Sequence, residues 1–143
     1  MKLRQEKNDK ATLEVVFKPS VGISGCKEKH MAHFFKEILE NIILLGHHPR
    51  SLITVVVQVL EDNGQILSAS FNAIMISLIN AAIPMKYVAF STFCCITEEN
   101  EMIINPKLNE LTASKSSHLF CFNSITGDLV ASKSSGSFQT NAV

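Results

Sequence analysis

The stretch LITVVVQVLEDNGQILSASFNAIMISLINAAIPM, Leu52–Met85, decides the fold. Its opening nine residues, Leu52 to Leu60, are mostly β-branched and apolar at odd and even positions alike, which predicts a strand buried on both faces at the centre of a sheet. Glu61-Asp62-Asn63-Gly64 is a strong turn signal. Beyond the turn, Ala69, Ala73, Ile76 and Asn80 line one side of a helix while Phe71, Ile74, Met75, Leu78 and Ile79 cover most of the rest. Such spacing predicts a helix buried nearly all round, stopped by Pro84.

Upstream, Thr12-Leu13-Glu14-Val15-Val16-Phe17 sets Leu13, Val15 and Phe17 on one face of a strand that Pro19 closes. The turn-rich Ser20–Gly25 leads to an amphipathic helix with Met31, Phe34, Phe35, Ile38, Leu39, Ile42 and Ile43 at three- and four-residue spacing. Gly46 is expected to end it, and His47-His48-Pro49-Arg50 then connects to the central strand. Downstream, Tyr87–Ile96 reads as a strand and Glu98-Glu99-Asn100 as a turn. Shorter strands are expected at Glu101–Ile104, His118–Phe122 and Leu129–Ser132, the last two joined by a turn over Asn123–Asp128. From Ser132 onward the chain reads as loosely ordered. The order β-α-β-α-β-β-β-β predicts an α+β, two-layer α/β sandwich with two helices against a sheet. No internal repeat is present.

The 143 residues carry 13 Lys plus Arg against 13 Asp plus Glu, with 46% hydrophobic and 18% charged residues, as expected of one ordinary globular domain. Zero net charge argues against a free-standing, electrostatically driven nucleic-acid binder, so any polyanion contact must be local. Residues 1–50 hold nine basic and six acidic side chains and residues 51–143 four and seven, a mild asymmetry. The longest apolar runs fall well short of the roughly 20 residues of a membrane-spanning helix, and Met1–Asp9 lacks a signal-peptide h-region, so a soluble chain is expected. Cys26, Cys94, Cys95 and Cys121 have no CxxC spacing, and no Asn-x-Ser/Thr site occurs. Both features fit a reducing intracellular compartment.

His30, His33, His47 and His48 could be imagined around zinc, but without a thiolate pair they read as solvated or locally hydrogen-bonded histidines. Adjacent Cys94 and Cys95 would point to opposite faces of a strand, as small core or interface residues rather than a redox couple. Gly64 followed by Gln65–Ser70 has the form of an anion-binding helix start. With no neighbouring Arg or Lys, a simple N-cap by Ser68 or Ser70 is the better reading. Glu98, Glu99 and Glu101 fit a metal-binding acidic cluster or a solvated hairpin tip equally well.

Three segments in order resemble the RNase PH family over about Lys10 to Phe138: Lys10–Pro19 with Val21-Gly22, His48-Pro49-Arg50-Ser51 running into the strand, and Gly64–Met85 ending Ala81-Ala82-Ile83-Pro84-Met85. Among its members the non-catalytic ring subunits of the eukaryotic RNA exosome look most similar. The resemblance implies an RNase PH-like fold with a ribosomal protein S5 domain 2-like βαβαβ core. It divides the chain into a polar N-terminal extension (1–10), a partial domain (11–138) that lacks the family's N-terminal strands and C-terminal helix, and a disordered tail (139–143).

Active members of that family use a helix-start Arg to hold phosphate and two Asp residues, after the strand that follows Pro-Met, to bind metal. The resemblance puts Ile66 and Leu67 at the phosphate position and Asn105 and Leu111 at the acidic ones. It therefore implies no phosphorolysis, no catalytic residue, no metal and no cofactor. What it implies instead is a scaffold that lines an RNA path in nucleus, nucleolus and cytoplasm. The expected partners are other RNase PH-like ring subunits, cap proteins and single-stranded RNA, with no membrane. Lys18, Lys27, Lys29, Arg50 and Lys86 are the candidates for RNA contact, each read alternatively as a solvated or ion-paired residue, and Arg50 as a cap for nearby carbonyls. The alternatives are an active phosphate-dependent 3′-5′ exoribonuclease using Glu98, Glu99 and Glu101, and a self-associating remnant that forms a homodimer outside the ring.

Overall fold

The computed structural model describes residues 7–137. In chain order these form β1 (Thr12–Lys18), α1 (Cys26–Ile42), a single 3-10 turn (Leu45–His47), β2 (Leu52–Gln58), α2 (Ile66–Asn80), β3 (Ala89–Thr97), β4 (Met102–Ile104), α3 (Leu108–Thr112), β5 (Ser114–Asn123) and β6 (Leu129–Gly136). They divide into two compact units. The first runs to Glu61 and takes up Ile74–Val88; the second holds Asp62–Ala73 and continues from Ala89.

In the first unit β1 and β2 pair in parallel, from Thr12 opposite Leu52 to Lys18 opposite Gln58. Period-two alternation buries Leu13 and Phe17 on one face, where the Phe17 ring lies 6.1 Å from that of Phe35 on α1. Helix α1 buries Phe35, Ile38, Leu39 and Ile42, and its start is fixed by the Gly25 N–H donating to Glu28 Oε2 at 2.7 Å. It ends before Gly46. Ile43 turns extended and bridges Met85, while its N–H still closes the last turn on Leu39. The expectation of a central β2 is also corrected. Among the described residues β2 pairs only with β1, Val55 is buried, and Leu52 and Val56 stay exposed on the other face.

Helix α2 is one-sided rather than buried all round. Ser68, Phe71, Ile74, Met75 and Leu78 are buried, whereas Ala69, Ala73, Ile76 and Asn80 form an exposed stripe. Nor is Pro84 what stops it. Ala82 adopts a left-handed backbone with φ 51°, its N–H donates to Ile79 O at 3.0 Å, and the Ile83 N–H donates to Leu78 O at 3.1 Å. That pair of bonds is a Schellman cap, two residues short of the proline.

The second unit is built on an antiparallel sheet in the order β4-β3-β5-β6. Ser91 turns its hydroxyl to α2, so Ala89, Phe93 and Cys95 share the face that the start of the helix covers. Cys94 points the other way, as expected of adjacent strand residues, and both thiols are buried. Burial pushes the Cys94 and Cys95 thiols up and takes that of Cys121 to about 11. Two elements depart from the expected order. The five-residue α3 is new, held by the Lys107 N–H donating to Glu110 Oε2 at 2.7 Å. Strand β6 continues past Ser132 to Gly136, which pairs with Ser116, so the loosely ordered stretch expected there is a strand as far as Gly136. The expected tail, 139–143, lies outside the described residues. No helix among the described residues is long and apolar enough to cross a membrane.

Candidate functional site

The start of α2 is assembled from three separate pieces of the second unit. Gly64 takes φ 94°, and its N–H donates to Asp62 Oδ1 at 2.9 Å, an Asx turn. A Cβ on Gly64 would sit 3.1 Å from Leu111 Cδ2 and 3.5 Å from Leu108, so glycine answers both the backbone and the close approach of α3. Gln65 reaches across 41 residues to donate Nε2–H to Pro106 O at 2.7 Å. Next to that proline, Asn105 leaves β4 in a left-handed conformation, φ 55°, and its N–H donates to Phe93 O at 2.9 Å.

Ile66, Leu67, Asn105 and Leu111 are thus brought to one locality around Gly64 and Gln65. The first turn of a helix offers N–H groups and a positive dipole end suited to an anion. Around it stand Ile66, Leu67, Leu108 and Leu111, with the neutral Asn105 exposed nearby. None of these side chains supplies a cation for phosphate or a carboxylate for a metal ion.

The expected serine N-cap is replaced by a buried network. Ser68 Oγ donates to Ser91 O at 3.1 Å, and Ser91 Oγ donates back to Ser68 O at 3.0 Å. Asn72 completes it, its Nδ2–H donating to Ser91 O at 3.0 Å and its Oδ1 accepting the Ser91 N–H at 2.8 Å. The reason lies in the sheet: β4 pairs only with Cys94–Ile96, which would leave the Ser91 edge of β3 bare. Sequence reasoning places Gln65 only within the Gly64–Ser70 helix start and singles out neither Asn72 nor Ser91. A signal was present, since Gln65, Ser68 and Asn72 fall three and four apart and form a polar stripe on one helix face.

Lys18, Lys27, Lys29, Arg50 and Lys86 are exposed and belong to the first unit, where they divide between its two ends. Lys18 closes β1 beside the loop that opens α1, whose first turn carries Lys27 and Lys29. Arg50 precedes β2 and Lys86 donates its N–H to Ile42 O at the far end of α1. Seven-residue strands separate the two groups by roughly 20 Å, so they do not form a single patch. Arg50 contributes its backbone to the structure: φ is 56° and its N–H donates to Lys7 O at 3.3 Å.

His30, His47 and His48 are exposed, and His33 Nε2 lies 3.3 Å from Glu37 Oε1 one helical turn away. Among the described residues no three His, Cys, Asp or Glu side chains converge on a metal-sized site. Glu98, Glu99 and Glu101 sit at the β3–β4 hairpin tip, closed by the Thr97 N–H donating to Glu101 O at 3.0 Å. They line an open depression with Thr97 and Ala113. The one buried histidine among the described residues is His118, which the sequence marks only as the first residue of a strand. Its Nε2 lies 3.0 Å from Ser116 Oγ and its Nδ1 2.9 Å from Ser134 Oγ, and desolvation holds its pKa below the ordinary value.

Residues 3–84 match the model of the 3′ exoribonuclease family, domain 1, known as RNase PH. The chain belongs to the RNase PH family. Within that family it is 34% identical over 108 residues to the exosome complex exonuclease RRP46 homolog of Arabidopsis thaliana, covering 75% of this chain and 45% of the relative. It is 36% identical over 95 residues to the exosome complex component rrp46 of Schizosaccharomyces pombe, covering 66% of this chain and 42% of that protein. This RNase PH chain therefore spans less than half the length of either relative. The crystal structure of rice (Oryza sativa) Rrp46 superposes with a TM-score of 0.88 at 30% identity, over 96% of this chain and 65% of the rice one. The expected RNase PH-like α/β fold is thereby met.

Proposed function

We propose that this RNase PH-family chain serves as a non-catalytic subunit of an RNA exosome ring, a scaffold along the path of RNA that is processed or degraded from its 3′ end. The observation that carries this reading is the makeup of the α2 start. Phosphorolysis needs phosphate held in line and the departing 3′ oxygen stabilised, and Ile66, Leu67, Asn105 and Leu111 supply neither function there. The names of the Arabidopsis and fission-yeast relatives support the exosome part of the proposal. Its partners are then other RNase PH-like ring subunits, cap proteins and single-stranded RNA, in nucleus, nucleolus and cytoplasm. Lys18, Lys27, Lys29, Arg50 and Lys86 act as scattered contacts to the RNA backbone.

The test is the purified chain incubated with 3′-labelled RNA, inorganic phosphate and magnesium. No nucleoside diphosphate above the no-protein background is expected, and sustained release would overturn the non-catalytic assignment. Affinity purification of the tagged chain at mild salt should bring down other ring subunits. Recovery of the chain alone, as monomer or homodimer, would remove the exosome role.

A further inference from the structure

Glu61-Asp62-Asn63-Gly64 contains the only Asn-Gly pair of the chain, and the structure places it where the side-chain amide is chemically vulnerable. Asn63 is exposed and lies in the irregular connection between β2 and α2, so neither helix nor ladder bonds hold its backbone. Gly64 has no Cβ to shield its amide nitrogen. That N–H donates to the Asp62 carboxylate at 2.9 Å, so a base already sits on the proton that must leave before the nitrogen can attack.

We infer that Asn63 is a site of intramolecular deamidation, promoted by Asp62 and yielding chiefly an isoaspartyl linkage at the entrance to α2. The Gly64 nitrogen forms a bond to Asn63 Cγ as its proton passes to Asp62. The Cγ–Nδ2 bond then breaks and ammonia departs, carrying away a proton. Water opens the resulting succinimide. Attack at the Asn63 main-chain carbonyl leaves the chain running through Cγ, which is isoaspartate with a free α-carboxylate, whereas attack at Cγ gives ordinary aspartate. The isoaspartyl form adds one backbone atom and a negative charge immediately before the Gly64 contact with Leu108 and Leu111. Its free carboxylate makes the aged chain a substrate for the class of methyltransferase that esterifies isoaspartyl groups.

Two other asparagines serve as controls within the same molecule. Asn8 is exposed and precedes Asp9, while the Asn123 side chain is held by the Ile125 N–H at 2.9 Å. The full chain is aged in mildly alkaline buffer made with oxygen-18 water, and its peptides are mapped by mass spectrometry. Expected is conversion of Asn63 several-fold faster than Asn8 or Asn123, with label incorporated and isoaspartate the larger product. Asn63→Gln should abolish it, because the larger ring closes far more slowly. Asp62→Ser keeps a hydroxyl able to accept the Gly64 N–H but removes the base, and should slow conversion several-fold. Conversion no faster than at Asn123, or faster in the urea-unfolded chain than in the folded one, would overturn the proposal. An unchanged rate in Asp62→Ser would do the same.

Discussion

Ala82 sits at a left-handed φ of 51°, a conformation that costs an L-residue with a Cβ about 1–2 kcal/mol and glycine almost nothing. Because the Schellman bonds from Ala82 and Ile83 do not involve its methyl group, Ala82→Gly keeps them. It should stabilise the fold by about 0.5–1 kcal/mol after the added freedom of the unfolded chain is subtracted, read as a higher urea midpoint at constant slope. Asn72 makes the opposite case. Its amide satisfies both the N–H and the C=O of Ser91, which no strand covers on that side. Asn72→Ala leaves the Ser91 N–H without a partner, while Ser91 O keeps the Ser68 hydroxyl, and should cost about 1–3 kcal/mol. Asn72→Asp supplies only the acceptor, and should fall short of the native midpoint as well.

In the β5–β6 pair, His118 bridges Ser116 on its own strand and Ser134 on β6. Its pKa is lowered from 6.5 because burial disfavours the imidazolium. The sign follows from proton binding: below pH 6.5 the unfolded chain takes up a proton that the folded chain resists. His118 therefore contributes full stability above 6.5, and that stability drains away as pH falls from there toward the depressed folded value. Urea midpoints measured from pH 8 to pH 5 should decline for the native chain, with a shallower decline for His118→Asn, which can still bond a serine but cannot titrate. Equal slopes would show that other groups govern the acid side. The neighbouring strands make a second prediction. Cys94, Cys95 and Cys121 are buried with raised pKa values, whereas Cys26 is exposed at the start of α1. Alkylation of the folded chain at neutral pH should modify one thiol quickly and the other three only on unfolding; more than one fast thiol would contradict the packing of β3 and β5.

Across the whole molecule, charge is balanced and the cations proposed to touch RNA lie at two ends of one unit. Single replacements, Arg50→Ala or Lys86→Ala, should weaken RNA binding by the assembled complex only slightly and reduce the slope of log affinity against log salt by about one. Complete loss from either change would instead mark a discrete pocket. The strand Thr12–Lys18, the apolar face of α1 and the turn at Asn63-Gly64 could all be read from the sequence, because side-chain period and turn chemistry are properties of consecutive residues. The RNase PH resemblance was legible in the same way, from three ordered segments. The placement of β2 was not, since a run of β-branched residues looks the same at a sheet's centre and at its edge. Nor was the exposed stripe of Ala69, Ala73, Ile76 and Asn80, because an apolar helix does not declare which side its neighbours will cover. Only the tertiary structure set Gln65 against Pro106, Leu111 over Gly64 and Asn72 on the bare edge of Ser91. Contacts between residues tens of positions apart are fixed by the packing of whole elements, and no local spacing encodes them.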